Sequence, residues 1–361
     1  MIFISFGAAA IFKTITVPVN REYVFSRFWA LYFLLAILGF VNNKILNLDT
    51  GTLNGAVFDA ASYLVLFISC LAIEKRFIYF RESAYLYLKA SYIYFMITIF
   101  FLYVLSLITS SIAGFPLRYY QYFAPLVDNL HQTAMILTPM PFVGIYLIGK
   151  ERSRAMRALI IILIFVSLIM IDDTGSFKAK LGVVVGSVGY LLTIAVGNMS
   201  RRSKTIMSMF VGFLVVGFVI NIDLKGILQT IFDKNDLYGG RAYLYSYAVV
   251  LIKESWLLGR GFGGHIFLFD KYYDAHQTLL TVFMQTGFIG AVFFLRLFYK
   301  ILKKSFRHSA PITGAVLSVV VYTSGGDVMR RLPIWFVLIL LYYAACQIQA
   351  DSKEKQSAYE A

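Results

Sequence analysis

"GGRAYLYSYAVVLIKESWLLGRGFGGHIFLFDKYYDAHQTLL", Gly239 to Leu280, decides how the rest of the chain is read. Its mostly apolar run, Ala242 to Ile252, is bounded by Arg241 on one side and by Lys253 and Glu254 on the other. A helix needs about 20 apolar residues to cross the hydrocarbon of a bilayer, so this run is too short to span. The charged and glycine-rich sequence around it therefore lies outside the hydrocarbon. Working outward, stretches of spanning length fall near 28–45, 55–73, 84–109, 122–148, 158–172, 181–198, 205–222, 277–298, 311–325 and 333–349. Residues 2–12 form a shorter run with no basic residue before it, a poor secretory signal that is expected to be retained. The expected fold is an all-α polytopic membrane protein, one integral domain over 1–361, with about 10–11 transmembrane helices and one large, partly helical loop at 223–276.

Composition agrees with this class. Of 361 residues, 59% are hydrophobic, 17% aromatic and only 14% charged, which describes a chain whose solvent is mostly lipid. The net charge of +14 points to anionic headgroups or a phosphorylated substrate as partners. No basic run interleaved with polar residues supports a nucleic-acid face. Cys70 and Cys346 each lie in an apolar run, where a thiol behaves as a small hydrophobe, so neither a disulfide framework nor a cysteine metal site is expected.

Lysine and arginine set the orientation. Alternate connections hold the basic residues of 75–81, 150–157, 201–204 and 300–308, and these are expected to face the cytoplasm. The opposite set, 42–54, 110–121, 173–180, 223–276 and 326–332, then faces outward. Within the 223–276 loop, Ala242 to Ile252 reads as an interfacial or re-entrant helix with Arg241, Tyr245, Ala248 and Ile252 on one face. The turn "LLGRGFGGH", Leu257 to His265, places four glycines in six positions, which suits close backbone approach over a substrate or under the helix. As a nucleotide fingerprint it is weak, because it neither follows a soluble strand nor opens a βαβ unit. In "DAHQTLLTVFMQTGFIG", His276, Leu280, Phe283, Gly287 and Gly290 share a helical stripe, and the two glycines are expected to admit a neighbouring helix.

These residues resemble a known family. The Arg heading a short helix in the large loop, "LLGRGFG", "AHQTLL" and the closing "TGFIG" are similar to the signature of the O-antigen polymerase and O-antigen ligase superfamily. "TGSFK" at 174–178 is similar to its Thr-Gly-Ser-Arg element. Three positions depart: Lys178 stands where the family usually has Arg, Gln277 where Asn commonly follows the His, and Trp256 where Pro often precedes the turn. The first matters chemically, because Lys is a point charge where Arg offers a bidentate fork.

The resemblance implies a glycosyltransferase of the bacterial inner membrane, multi-pass, with its active site facing the periplasm and no metal or other cofactor. Its donor would be an oligosaccharide on undecaprenyl diphosphate, attacked at the anomeric carbon by an acceptor sugar hydroxyl. Cations fixed near the departing diphosphate stabilise charge that grows in the transition state; Arg241, Lys178, Lys180, Arg260 and Arg118 are the candidates. His276 has the basicity to take the acceptor's proton. Gln277, Tyr245 and His265 are candidates for holding the acceptor. Arg330 and Arg331 in the last outer turn are either headgroup anchors or substrate contacts. The compact, aromatic-rich chain favours a repeat-unit polymerase of O-antigen, capsule or exopolysaccharide. The alternatives are a ligase moving the glycan to lipid A core, or a flippase or transporter of lipid-linked sugar. Expected partners are membrane lipids and a chain-length-regulating membrane protein.

Overall fold

The computed structural model describes residues 23–45, 53–125, 130–197, 248–268, 272–274, 277–323 and 326–360. Its helices in chain order are α1 (Phe25–Ile45), α2 (Leu53–Ile78), α3 (Ala84–Ile108), α4 (Leu130–Leu137), α5 (Met140–Lys150), α6 (Arg154–Asp173), α7 (Phe177–Gly197), α8 (Thr278–His308), α9 (Ala310–Thr323) and α10 (Leu332–Glu360). Three antiparallel two-stranded hairpins accompany them: β1 (Ser111–Ile112) with β2 (Phe115–Pro116), β3 (Arg118–Tyr119) with β4 (Tyr122–Phe123), and β5 (Ile266–Leu268) with β6 (Tyr272–Asp274). Among the described residues, 8 helical segments are long and apolar enough to cross a membrane, and the protein is an all-α polytopic membrane protein.

The expected spans return with instructive shifts. The stretch expected to span at 122–148 opens on strand β4, and its helix is broken between Leu137 and Met140. Pro139 and Pro141 explain the break, since neither can donate a backbone hydrogen bond to the preceding turn. The stretch expected at 277–298 runs on to His308 and is interrupted at Gly287, which has φ 63° and ψ −162°. Helix α9 has only 14 residues, short of a full crossing. The expected span 205–222 and the run 2–12 lie outside the described residues.

Helix starts and ends show why the connections gather into two sets. The buried carboxylate of Glu74, near the end of α2, accepts from the amides of Val24 at 2.8 Å, Phe25 at 2.9 Å and Ser26 at 2.8 Å, and from the Ser26 hydroxyl at 2.6 Å. It thereby caps the first turn of α1 from another helix, supplying acceptors to amides that have none of their own. The Tyr343 hydroxyl of α10 donates to the same carboxylate at 2.9 Å. Gln347 accepts from Ala84 N at 2.9 Å and donates to the Glu82 carbonyl at 2.8 Å. Lys89 of α3 pairs with Glu151, and Lys304 of α8 donates to Gln349. The basic connections 75–81, 150–157 and 300–308 therefore share one end of the bundle, as their Lys and Arg content implied; 201–204 lies outside the described residues.

Between the ends, α7 and α9 pack by small residues. Ideal Cβ atoms on Gly182 and Gly186 would come within 3.0 Å of the Ser318 carbonyl and 2.7 Å of the Gly314 carbonyl. That spacing of four lets the two backbones approach closely, with the Phe142 ring packed against both Gly186 and Gly314. Residues such as Leu86, Phe101, Ile108 and Leu191 are more than half exposed, as lipid-facing positions should be. An aromatic cluster fills the space between α1, α2 and α10: Trp29 meets Trp335 edge-on at 4.9 Å between centroids and stacks on Tyr63 at 5.5 Å. This cluster is the floor on which the loop from 257 to 265 rests, through Phe262 against Phe33 at 5.2 Å and Tyr63 at 6.2 Å.

Candidate functional site

The glycine-rich turn is built for backbone contact. Gly261 lies so close to α1 that an ideal Cβ would stand 2.1 Å from Phe40 N and 2.5 Å from the Ala36 carbonyl, and its φ of +77° already suits only glycine. On the other side the turn pairs with the interrupted part of α8. Arg260 N donates to the Met284 carbonyl at 2.7 Å, Gly261 N to the Gln285 carbonyl at 2.9 Å, and Phe288 N to the Trp256 carbonyl at 2.8 Å. The left-handed backbone at Gly287 is what leaves these carbonyls available. Its role is thus to break its own helix and admit the Leu257–Leu258 backbone, within 2.6 Å of an ideal Cβ, rather than to admit a neighbouring helix.

Where the turn seats, a polar network closes over the aromatic floor. Asp59 of α2, fully buried, accepts from Gly263 N at 2.8 Å and from Gln285 Nε2 at 2.8 Å, and its other oxygen lies 3.4 Å from the Arg330 guanidinium. The Gln285 carbonyl oxygen accepts from the hydroxyls of Tyr32 at 2.6 Å and Tyr63 at 2.7 Å. Gln285 Nε2 also contacts His265 Nδ1 at 2.7 Å. The same ring nitrogen of the buried His265 lies 3.4 Å from Asp59 Oδ2, so His265, Gln285 and Asp59 meet at one point. Every buried polar atom of Gln285 is thereby engaged, the condition under which such networks stabilise a single arrangement. Arg330 continues the network outward, 4.0 Å from Asp327 and over the Phe58 ring at 5.6 Å.

The candidate residues read from the sequence fall into groups. Arg260, His265 and Gln277 belong to the turn and the start of α8. Arg260 is buried and paired with Glu254, and its carbonyl accepts from Asn43 Nδ2 at 3.2 Å. Gln277 caps α8, accepting from Leu280 N at 2.5 Å, and Thr278 ties that helix start to the Gly326 carbonyl at 2.6 Å. Residues 248–254 are helical, and Ala248 and Leu251 pack on Met284 of α8, so part of the expected loop helix is present and leans on the span that follows.

Lys178 and Lys180 lie in the first turn of α7, and Arg118 of β3 reaches the end of α6 beside them. "TGSFK" is the turn between α6 and α7: Thr174 closes α6, the Tyr122 ring covers Gly175, and Ser176 opens α7, its carbonyl accepting from Ala179 N at 3.1 Å. Lys180 pairs with Asp172 at 2.6 Å and Arg118 with Asp173 at 2.8 Å. Arg118 also donates to the Ser106 carbonyl at 3.0 Å and the Gln121 carbonyl at 2.6 Å, lacing the β3–β4 hairpin to the end of α3. Two lysines at the start of α7 add positive charge to the positive end of a helix dipole, a combination that attracts anions. Arg241, Tyr245 and His276 lie outside the described residues.

Asp59, Gln285, Tyr32 and Tyr63 were not singled out in the sequence. The signal existed for Asp59, since an ionisable residue inside a span is a functional or structural centre by default. For Gln285 and the tyrosines there was none, because only the seated turn brings them together.

Fold and site together define a multi-pass helical membrane protein whose glycine-rich loop is laced into a broken span. Residues 162–295 match the family model described as O-antigen ligase. Over these residues the resemblance to the O-antigen polymerase and ligase superfamily is borne out, and it supports a polysaccharide-related membrane enzyme, glycosyltransferase-like or ligase in type. The family implies lipid-linked oligosaccharides as substrates. No curated protein matches the chain.

Proposed function

We propose that this protein is a polysaccharide repeat-unit polymerase of the bacterial inner membrane, transferring glycan from undecaprenyl diphosphate to an acceptor sugar hydroxyl on the periplasmic side. The observation that carries the reading is the family match at 162–295, which contains both the α6–α7 turn and the glycine-rich turn with the helix start after it. In this reading the end of the bundle opposite the basic connections faces the periplasm, following the lysine and arginine bias.

The leaving diphosphate gains negative charge as the glycosidic bond breaks. Cations held in place stabilise that charge more in the transition state than in the ground state. Lys178 and Lys180, at the positive end of α7, together with Arg241 are the groups assigned to it. Lys180, Arg118 and Arg260 are already held by Asp172, Asp173 and Glu254, so each reaches a phosphate only by exchanging its carboxylate. His276 takes the proton of the attacking hydroxyl, and Gln277 and Tyr245 orient the acceptor. His265 is buried beneath the turn and positions it through Gln285. No step needs a metal ion, and the resemblance to the family carries that point.

The ligase reading is the second one, favoured by the description of the matching family itself. A deletion strain followed by glycan gel analysis separates the readings. Core capped with a single repeat means a polymerase; long chains stranded on the carrier lipid mean a ligase; loss of all surface repeats with intermediates inside means a flippase and overturns both.

A further inference from the structure

The basic end of the bundle holds a groove of about 850 Å³ that the transfer reaction does not use. Arg81, Lys300, Lys303, Lys304, Arg307 and His308 line it, and no carboxylate lines it among the described residues. Phe77, Ile78 and Tyr342 form its apolar wall. Four of the cations come from one helix at intervals of three or four residues, so they stack along one face of α8. Like charges at that spacing destabilise a helix unless an anion lies between them. The groove also does not end at the cations. Val24 and Lys300 are shared with a narrow cleft between α1 and α8, lined by Phe28, Leu31, Phe293 and Leu297 together with Arg27 and Arg296. From Val24 to Leu31 the cleft follows α1 for roughly 10 Å toward the centre of the bundle, at about 1.5 Å per residue.

We infer that this groove and cleft form a binding site for one anionic phospholipid, with its phosphate among the α8 cations and one acyl chain in the α1–α8 cleft. A cationic cup alone would suit any phosphate. The mostly apolar cleft opening from its lip, within a bundle of membrane-spanning helices, selects an amphiphile whose charged head and chain are joined, with Arg27 and Arg296 adding to the positive charge about it. The site is independent of the transfer chemistry, since it lies at the other end of the spans.

The test is native mass spectrometry of the full chain released from micelles containing equal amounts of phosphatidylglycerol and phosphatidylcholine. The wild type is expected to keep phosphatidylglycerol in preference. Lys303→Gln with Lys304→Gln and Arg307→Gln should weaken retention by roughly fivefold per cation removed, on the order of a hundredfold together. Lys303→Gln alone, at an exposed position, should show the single fivefold step and guards against misfolding of the triple variant. Leu31→Trp, which fills the cleft, should also lower retention. Equal retention of phosphatidylcholine, or undiminished phosphatidylglycerol in both lysine variants, overturns the inference. In a competition arm, sn-glycerol 3-phosphate should displace little lipid; if it binds as tightly as the diacyl lipid, the groove is a soluble-phosphate site and the lipid assignment falls.

Discussion

The two ends of the bundle use their carboxylates in opposite ways. At the loop end Asp59, Asp172 and Asp173 lie against Arg330, Lys180 and Arg118, so cations there are met by protein anions. At the basic end the buried Glu74 is turned inward to the amides that open α1, and Glu151 accepts from Arg152 N at 2.9 Å and Ser153 N at 3.0 Å as well as pairing with Lys89. Arg76 pairs with Glu82 at 3.0 Å, but among the described residues no carboxylate lines the groove, where Lys304 donates to Gln349 and Lys303 lies over the Tyr299 ring at 5.4 Å. Where a protein places its acids therefore decides which of its bases are available to a ligand. The loop end keeps its charge balanced until something displaces a carboxylate, whereas the groove at the basic end is lined, among the described residues, by cations with no carboxylate.

The sharpest way to break this comparison is at Glu74. Glu74→Ala leaves the first amides of α1 and the Tyr343 hydroxyl without their buried acceptor, each a desolvated group costing about 1–3 kcal/mol. Thermal unfolding in detergent should show a loss of about 3–5 kcal/mol, with Glu74→Gln intermediate. A loss below about 1 kcal/mol would mean that water replaces the cap and that the carboxylate is not committed to the fold.

Asp59→Asn should come next. The substituted amide accepts from both Gly263 N and Gln285 Nε2 through its oxygen only by turning an NH2 donor toward the Arg330 guanidinium and losing the charge that faces it, so about 2–3 kcal/mol should be lost, with the glycine-rich turn loosened first. Limited proteolysis should then cut near 257–265 before any span unfolds. Cleavage elsewhere first would separate the network from the turn it is argued to hold.

Lys180→Gln removes an exposed pair with Asp172, whose contribution to stability should be no more than about 1 kcal/mol. Polymer length on glycan gels should nevertheless shorten. Unchanged chain length would return Lys180 to the role of a surface ion pair.

The smallest effect concerns acid. The hydrogen bond from Lys89, helped by the amides of Ser153 and Arg152 and opposed by desolvation, holds the Glu151 carboxyl down at about 2. A depressed carboxylate stabilises the fold fully above its unfolded value of about 4.3, and loses that contribution as pH falls through its folded value. The wild type should therefore lose stability between about pH 5 and 2 more steeply than Glu151→Gln. Parallel curves would show that Lys89 and Glu151 are not coupled in the folded protein.

Much of the fold was legible because length and apolarity speak plainly: nine of the ten expected spans correspond to helical segments in the described residues. The errors have physical causes. The aromatic, apolar strand residues Tyr122 and Phe123 read as span, because hydropathy cannot distinguish a buried hairpin from a helix. Gly287 read as a packing glycine, since its left-handed backbone depends on the turn that fills the gap. In the site, Arg260, His265 and Gln277 were visible as residue types in a suggestive loop, yet their partners Glu254, Gln285 and the α8 amides were not. Asp59 and Gln285 lie 226 residues apart, and only the fold joins them.

The central claim is transfer of a lipid-diphosphate-linked glycan with His276 as base, and purified protein tests it most directly. Initial rates of chain growth should be followed with lipid-diphosphate-linked repeat units, in EDTA, for the wild type, His276→Gln and His276→Ala. The wild type should build a ladder from repeat units alone. His276→Ala should slow turnover by roughly a hundredfold or more while donor binding stays nearly intact, the size of a general-base contribution. Wild-type rates in His276→Ala, or a ladder that requires added magnesium, would contradict the account.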